Sequence, residues 1–383
     1  MRPERPLLDS RNYRRLVIKV GSAVLAGAPG RARQLAIAEQ VAALKAEGRE
    51  VVLVSSGAVA SGMAKLGLKE RPKTMPGKQA AAAVGQPLMM QLWEQAFSWY
   101  SLQVAQILLT AEDLAHRHRY LNARRTLETL LDWHVVPVIN ENDTVMVDEI
   151  KFGDNDQLSA LIASLVGADL LVVLSDIDAL YDADPRTNPA AKPVRYIEQV
   201  DAEVMRMAGD APNRTGTGGM RSKLLAAKKA QDAGIPLLLL PGLNPHSIAE
   251  ALRGEPVGTF FAAGNRRYGG QRLWLAQLPK PAGEIVVDAG AAKALRQGGA
   301  SLLPAGIREV RGNFGEGEAV RCLDPNGRLI GVGLVNYSSA EIERIKGAKT
   351  KDIAAILGYR HSDEVIHRDH FALAGELAPS SGS

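Results

Sequence analysis

A single cysteine, Cys322, occurs among the 383 residues. One thiol cannot form a disulfide bond within the chain and cannot build a thiolate metal cluster, so both kinds of site are excluded. Its surroundings, EAVRCLDPNG, predict a strand that leads into a turn, where a buried cysteine acts as a small apolar side chain. Such sparse use of cysteine is typical of proteins in a reducing compartment.

Long apolar segments are also missing. No run of 18 or more apolar residues occurs, and residues 1–15, MRPERPLLDSRNYRR, lack the apolar stretch of a signal peptide. We therefore predict neither a membrane association nor secretion, and the expected location is cytoplasmic.

A large excess of charge of one sign is absent as well. The 46 lysines and arginines exceed the 42 acidic residues by only four, although the pI is near 9.1. This excess is too small to argue by itself for nucleic acid as a partner, and we expect none. A hydrophobic content of 46% is that of an ordinary globular protein.

The fold class is indicated by two alternating patterns. Apolar runs of strand length, typical of strands buried on both faces, alternate with longer helical segments. This alternation predicts an α/β fold, a three-layer sandwich with a largely parallel central sheet. The runs predicted as strands are RLVIKV (15–20), EVVLVS (50–55), QVAQILL (103–109), VVPVIN (135–140), DLLVVLS (169–175) and IPLLLLP (235–241).

A chain of this length predicts two domains, and the pattern changes after about residue 277. The segment LPKPAG has the composition of a linker, and short strands with turn signals such as DPNGR follow it. We expect a small, mostly-β second domain. The predicted boundaries are an N-terminal extension at 1–14, an α/β domain at 15–277, a linker at 278–283, a second domain at 284–370 and a flexible tail at 371–383.

Two strand ends are candidates for binding anions. In a parallel sheet, ligands bind at the carboxyl ends of the strands. The first strand ends in KVGS, with Lys19 and Gly21, and the second ends in SSGA, with Ser56. Neither matches a known phosphate-loop pattern. However, a lysine inside an apolar strand is costly unless its ammonium meets a partner, and a phosphate would be one.

A third candidate precedes a helix in NRTGTGGMRSKLLAAKKA. Glycines are followed by Ser222 and Lys223 in the first helical turn, where a lysine opposes the helix dipole and favours an anionic ligand. A solvated lysine on a surface loop explains the local sequence equally well. Ser175 and Asp176, at the end of the fifth strand, fit either a ribose or metal contact or a solvated turn.

The segment NENDTVMVDEIKFGDNDQLSA, residues 140–160, is unusually acidic. It fits a solvated loop, a divalent-metal site or the wall of a pocket for a cationic group. Asp154 is placed to cap a helix, and we expect Asp148 and Glu149 to face water. The six carboxylates are Glu141, Asp143, Asp148, Glu149, Asp154 and Asp156.

Anion sites that face an acidic wall suit a polyphosphate together with a substrate that carries a positive group. Phosphoryl transfer needs this arrangement, because lysines and helix N-termini stabilise the phosphates while Mg²⁺ bridges their oxygens.

The motifs resemble the amino acid kinase family, and within it the glutamate 5-kinases. The similarity runs through VIKVGSAVL, VVLVSSGAVASG, VPVINEND, FGDND and GTGGMRSK and covers nearly all of residues 15–370. The C-terminal segment GASLLPAGIREVRGNFGEGEAV resembles a PUA domain. The resemblance implies ATP-dependent phosphorylation of the glutamate γ-carboxylate, the first step of proline synthesis.

The resemblance also implies roles for individual residues. Lys19, Asp156 and Lys223 are expected to be catalytic, with Asp156 orienting the lysines, and Ser56, Asp143 and Asn155 are expected to contact glutamate. Magnesium is expected on the ATP phosphates, with no protein metal site. The residues expected to bind ATP are Lys19, Gly21, Ser175, Asp176, Thr217, Gly218, Gly219, Met220, Arg221, Ser222 and Lys223.

Relatives commonly have threonine where this chain has Ser55, Ser175 and Ser222, so each hydroxyl is kept. The resemblance implies inhibition by proline and a homo-oligomer, a dimer or a tetramer, and makes a glutamyl phosphate reductase a candidate partner. Two alternatives stay open. One is another kinase of the family, acting on acetylglutamate or a nucleoside monophosphate, and the other is RNA binding through the PUA-like domain.

The RNA-binding alternative has weak electrostatic support. Residues 284–360 carry eleven lysines and arginines and nine acidic residues, a net charge of +2. This is a small basic excess for a surface that binds a phosphate backbone.

Overall fold

The computed structural model describes residues 12–27, 29–115, 117–146, 155–208, 219–264, 281–297, 300–360 and 362–374. The chain divides near residue 267 into two compact units. The first contains the described residues up to 264, apart from 115–119. The predicted boundary at 277 and the first half of the predicted linker, residues 278–280, lie outside the described residues, and both stay predictions.

The first unit is built on an eight-stranded sheet with the order β3-β4-β2-β1-β5-β9-β10-β8. All neighbouring strands are parallel except β9 and β10, which are antiparallel. This confirms the predicted α/β fold. The strands are β1 Arg15–Val20, β2 Glu50–Ser55, β3 Val104–Leu109, β4 Val136–Glu141, β5 Leu170–Ser175, β8 Tyr196–Ile197, β9 Leu237–Pro241 and β10 Thr259–Phe261, with β6 Leu180–Tyr181 and β7 Pro193–Val194 as a separate pair.

Helices connect these strands, as the alternating pattern predicts. They are α1 Ser22–Leu25, α2 Gly30–Ala46, α3 Ala58–Leu66, α4 Met75–Ser98, α5 Ala111–Ala115, α6 Arg117–Asp132, α7 Asn155–Leu165, α8 Ala202–Arg206, α9 Met220–Asp232 and α10 Ser247–Leu252.

Side chains of β1 alternate between the two faces of the sheet, as in any strand. Leu16, Ile18 and Val20 are fully buried in the core that includes residues of α2 and α4. Lys19 has the opposite orientation, and α7 contacts β1 and also packs on α9. The alternation therefore directs the one lysine of β1 away from the apolar core and toward α7.

The strand order reverses at β1, which pairs with β2 on one side and β5 on the other. Val20, the last residue of β1, lies opposite Ser55 of β2. Open parallel sheets bind ligands at such a reversal, outside the carboxyl ends of the strands. The topology thus brings the predicted anion-binding strand ends to one edge of the sheet.

Helices α3 and α4 cross at two glycines, Gly62 and Gly85. A Cβ at Gly62 would overlap the carbonyl oxygen of Ala81, and a Cβ at Gly85 would overlap that of Ala58. The two backbones are in contact here, so neither position has room for a side chain. This crossing fixes α4 against the helix that follows β2.

The second unit contains a five-stranded sheet with the order β12-β11-β13-β14-β15. It confirms the small, mostly-β second domain. Tyr337 is fully buried, and its hydroxyl donates a hydrogen bond to the carbonyl of Ser362 at 2.5 Å. The elements are β11 Gly283–Val287, β12 Ile307–Arg311, β13 Ala319–Leu323, β14 Leu329–Leu334, β15 Phe371–Leu373, α11 Ala289–Arg296, α12 Ser339–Ile345 and α13 Ile353–Leu357.

Two details of this unit bear on the sequence predictions. Cys322 is buried in β13, as predicted, and burial raises the pKa of its thiol to about 12. The predicted tail at 371–383 begins too early, because Phe371–Leu373 form β15 and pair with β14. Three residues are too few to show a strand periodicity.

Within the described ranges, no helix combines the length and the apolar character needed to cross a membrane.

We predict that Gly85→Ala lowers the free energy of unfolding by about 1–3 kcal/mol, the usual cost of overpacking. Helix propensity alone would favour alanine by about 0.5–1 kcal/mol, so a loss of stability reports the helix contact. Urea unfolding followed by tryptophan fluorescence measures the change, since Trp93 is buried in α4. The control is Glu94→Ala, at an exposed position of the same helix. Equal stability of the two variants would contradict the close crossing.

Candidate active site

The predicted catalytic residues meet at the carboxyl edge of the sheet. The ammonium of Lys19 donates to one carboxylate oxygen of Asp156, and the ammonium of Lys223 donates to the other at 3.1 Å. Lys19 is 4% exposed, Lys223 is 7% exposed and Asp156 is fully buried. Asp156 therefore bridges two buried lysines that are 204 residues apart in the sequence.

Each member of this cluster comes from a different element. Lys19 projects from β1, Asp156 lies in the first turn of α7, and Lys223 lies in the first turn of α9. A carboxylate in the first turn is stabilised by the helix dipole, whereas a lysine there is opposed by it. The carboxylate of Asp156 offsets this opposition for Lys223.

The formal charges of these three side chains do not cancel among themselves. Burial by itself would raise the pKa of Asp156, but the nearby ammonium groups of Lys19 and Lys223 outweigh burial and lower it below its usual value. Asp156 is therefore ionised near neutral pH, and two cations face one anion. Two buried ammonium groups held at one point favour an anion beside them, so the cluster is suited to bind a phosphate or a carboxylate.

A polar network lies next to this cluster. The side-chain nitrogen of Asn155, the residue before Asp156, lies 2.8 Å from the hydroxyl oxygen of Ser56 and 2.8 Å from the side-chain oxygen of Asn140. It also lies 3.2 Å from the carbonyl oxygen of Ser55. The structure thus brings together Ser56 and Asn155, two of the three residues predicted to contact the substrate.

The third, Asp143, lies in the turn that follows β4 and is partly buried. Its role as a substrate contact stays a prediction. Asp148, Glu149 and Asp154, the other acidic residues named from the sequence between Asp143 and Asp156, lie outside the described residues.

Sequence reasoning missed several members of the polar network. Asn140, the last residue of the run VVPVIN, is buried and donates to the side-chain oxygen of Gln86 at 2.7 Å. The rule that ligands bind at strand ends could have found Asn140. Gln86 lies inside an apolar helical segment, and no local signal distinguishes it. The indole nitrogen of Trp93 donates to the Ser55 hydroxyl at 2.9 Å.

Some of the residues predicted to bind ATP lie at the end of β5, which pairs with β1 on the side opposite β2. The backbone N–H of Gly21 donates to the carbonyl of Leu174 at 3.1 Å, and a Cβ on Gly21 would come within 3.2 Å of that oxygen. Ser175 is buried, and its hydroxyl lies 3.1 Å from the carboxylate of the exposed Asp176. This arrangement leaves Asp176 accessible to a ligand.

The start of α9 supplies the remaining part of the predicted ATP site. Gly219 precedes the helix in extended conformation, Met220 is partly buried and Arg221 is exposed. The hydroxyl oxygen of Ser222 is buried and has no hydrogen-bond partner in the described structure. An orphaned hydroxyl beside Lys223 fits a bound phosphate. Thr217 and Gly218 lie outside the described residues.

Two buried side chains, Gln231 and Thr259, make hydrogen bonds to the backbone of the segment that follows β5. Gln231 of α9 accepts from the N–H of Val200 at 2.9 Å and donates to the carbonyls of Glu198 and Ala262. Thr259 accepts from the N–H of Leu180 at 2.9 Å. The segment after β5 is thereby tied to α9 and β10.

In the part of the chain that the structure describes, no group of three or more His, Cys, Asp or Glu side chains is arranged to hold a metal ion.

Comparison with known proteins agrees with this geometry. Residues 14–240 match the amino acid kinase family and residues 283–357 match the PUA domain. The chain is 77% identical to a glutamate 5-kinase of Meiothermus ruber over 97% of this chain and 98% of that protein. It is 60% identical to a glutamate 5-kinase of Thermus thermophilus over 95% of this chain and 98% of that protein. It is 51% identical to a glutamate 5-kinase of Geobacter sulfurreducens over 94% of this chain and 97% of that protein.

These matches cover both units of the chain, and the first contains the Lys19–Asp156–Lys223 cluster with the polar network beside it. The chain belongs to the amino acid kinase family and, within it, to the glutamate 5-kinases that carry a C-terminal PUA domain.

Proposed function

We propose that the protein catalyses ATP-dependent phosphorylation of the γ-carboxylate of L-glutamate to L-glutamyl 5-phosphate, the first step of proline biosynthesis. The observation that supports this most directly is the buried cluster of Lys19, Asp156 and Lys223, which lies beside the polar network of Asn155. The similarity to glutamate 5-kinases over nearly the whole chain supports the same reaction.

The chemistry requires alignment and charge compensation rather than a general base. The side-chain carboxylate of glutamate has a pKa of about 4.3 and is already ionised near neutral pH. Lys19 and Lys223 offset the repulsion between this carboxylate and the phosphate it approaches, and they stabilise the negative charge of the transferring group. Asp156 is a positioning residue that holds both ammonium groups.

The substrates are proposed to lie on the two sides of this cluster. Ser56, Asn155 and Asp143 hold glutamate, with Asp143 facing its α-ammonium group. Gly21, Ser175, Asp176 and the segment 217–223 hold ATP. Magnesium bound to the ATP phosphates neutralises part of their charge.

The test is a coupled assay of ADP release with Mg-ATP and each of four acceptors: L-glutamate, N-acetylglutamate, L-aspartate and UMP. We expect turnover with glutamate and competition by proline against glutamate. Turnover with N-acetylglutamate or UMP in place of glutamate would instead support another kinase of the family. Salt-sensitive binding of tRNA, measured in parallel, would support the RNA-binding alternative. Assembly as a dimer or tetramer and association with glutamyl phosphate reductase stay predictions.

We predict that Lys19→Met lowers kcat by about 10²–10³-fold, the usual effect of removing one group that stabilises transition-state charge. Because methionine has nearly the same length and no charge, the fold should stay intact. Steady-state kinetics and circular dichroism measure the two effects. The control is Lys65→Met, at an exposed position of α3. Near-normal turnover of Lys19→Met would contradict the assigned role.

We predict that Asp156→Asn lowers kcat. At neutral pH it also lowers the free energy of unfolding by about 3 kcal/mol, because the variant lacks the carboxylate charge that faces two buried ammonium groups. The folded-state pKa of Asp156 is lowered, so its ionisation stabilises the fold above the unfolded-state pKa. The stability difference between wild type and variant should be complete above about pH 5 and shrink as the pH falls through the folded-state pKa.

Urea unfolding at several pH values measures this dependence. The control is Asp132→Asn, which removes an exposed carboxylate at the end of α6. A stability difference that stays constant down to strongly acidic pH would show that the charge of Asp156 does not stabilise the cluster.

A further inference from the structure

Gln86 of α4 extends the polar network of the substrate side by one member. Its side-chain oxygen accepts a hydrogen bond from the side-chain nitrogen of Asn140 at 2.7 Å. The side-chain oxygen of Asn140 in turn accepts from Asn155 at 2.8 Å. Gln86 is thus two hydrogen bonds away from the residue that precedes Asp156.

The orientation of each amide in this chain is fixed by a backbone group. The Ser55 carbonyl can only accept, so the side-chain atom of Asn155 that lies 3.2 Å from it must be nitrogen. Asn140 therefore presents its oxygen to Asn155 and its nitrogen to Gln86. It follows that Gln86 uses its oxygen in this contact and keeps its amide nitrogen for another.

The amide nitrogen of Gln86 has no partner in the described structure, although the atom itself is buried. A buried donor without an acceptor costs free energy, and most such groups in folded proteins are paired. An orphaned donor at the end of a network that includes Ser56 and Asn155 indicates that a ligand supplies the acceptor.

We propose that the amide nitrogen of Gln86 donates a hydrogen bond to the α-carboxylate of the acceptor amino acid and so contributes to its selection. This inference rests on the proposed function. An amide N–H can meet a carboxylate but repels an ammonium group, which excludes the α-ammonium as its partner. Gln86 is separated from Asn155 by two hydrogen bonds, whereas Asp156, the next residue in the sequence, contacts Lys19 directly. We therefore expect Gln86 to contact the end of the substrate that does not react.

Two variants separate this contact from support of Asn140. Gln86→Glu keeps an oxygen for Asn140 but replaces the free donor with a carboxylate oxygen. Gln86→Met removes both. If Gln86 binds the α-carboxylate, both variants raise KM for glutamate at least tenfold, with kcat and KM for ATP within about twofold of wild type, because the lost contact is remote from the reacting atoms.

The matched control is Gln91→Glu, the same change at an exposed position of α4. Thermal unfolding of all variants checks that the fold is kept. If Gln86→Glu retains the wild-type KM for glutamate while Gln86→Met does not, Gln86 only supports Asn140 and the proposal is overturned. A fall in kcat with unchanged KM also overturns it. If wild type itself releases no ADP with glutamate, the proposed function fails instead, so the two failures are distinguishable.

Discussion

The bridging of Lys19 and Lys223 by Asp156 is the interaction on which the rest of the site depends. Two lysines with little exposure to water could not be kept charged so close together without a shared anion. One carboxylate makes this possible by accepting a hydrogen bond from each ammonium group. The two ammonium groups are thereby held at one point of the carboxyl edge of the sheet, an arrangement that favours an anionic ligand.

The sheet topology makes this bridge possible across a long stretch of sequence. Helices α7 and α9 pack against each other, and each places its first turn at the carboxyl edge of the sheet near the end of β1. Since a side chain in the first turn moves little when the rest of the helix is packed, the geometry of Asp156 and Lys223 is fixed by the core beneath them. The groups proposed to be catalytic are therefore positioned by packed helices and a strand rather than by loops.

The sequence was sufficient to predict the α/β fold, because its main strands are continuous apolar runs. It also indicated Lys19 as a candidate, since a lysine inside an apolar strand needs a partner for its ammonium group, and the structure shows Asp156 as a partner. Short strands such as β15 and the pair β6 and β7 were not predicted, because two or three residues carry no periodicity. Gln86 was missed for a different reason: its hydrogen bond with Asn140 joins α4 to β4, a tertiary contact that local sequence does not encode.

Helix α4 shows how such tertiary contacts organise the polar network. Three of its side chains, seven residues apart and therefore on one face of the helix, make hydrogen bonds outside the helix. Gln79, Gln86 and Trp93 contact the Met146 carbonyl, the Asn140 side chain and the Ser55 hydroxyl, respectively. These partners lie after β4, at the end of β4 and at the end of β2. One helix thus contacts the ends of β2 and β4, and the glycine crossing packs this helix against α3, which follows β2. Packing between two helices is in this way coupled to the geometry of the polar network.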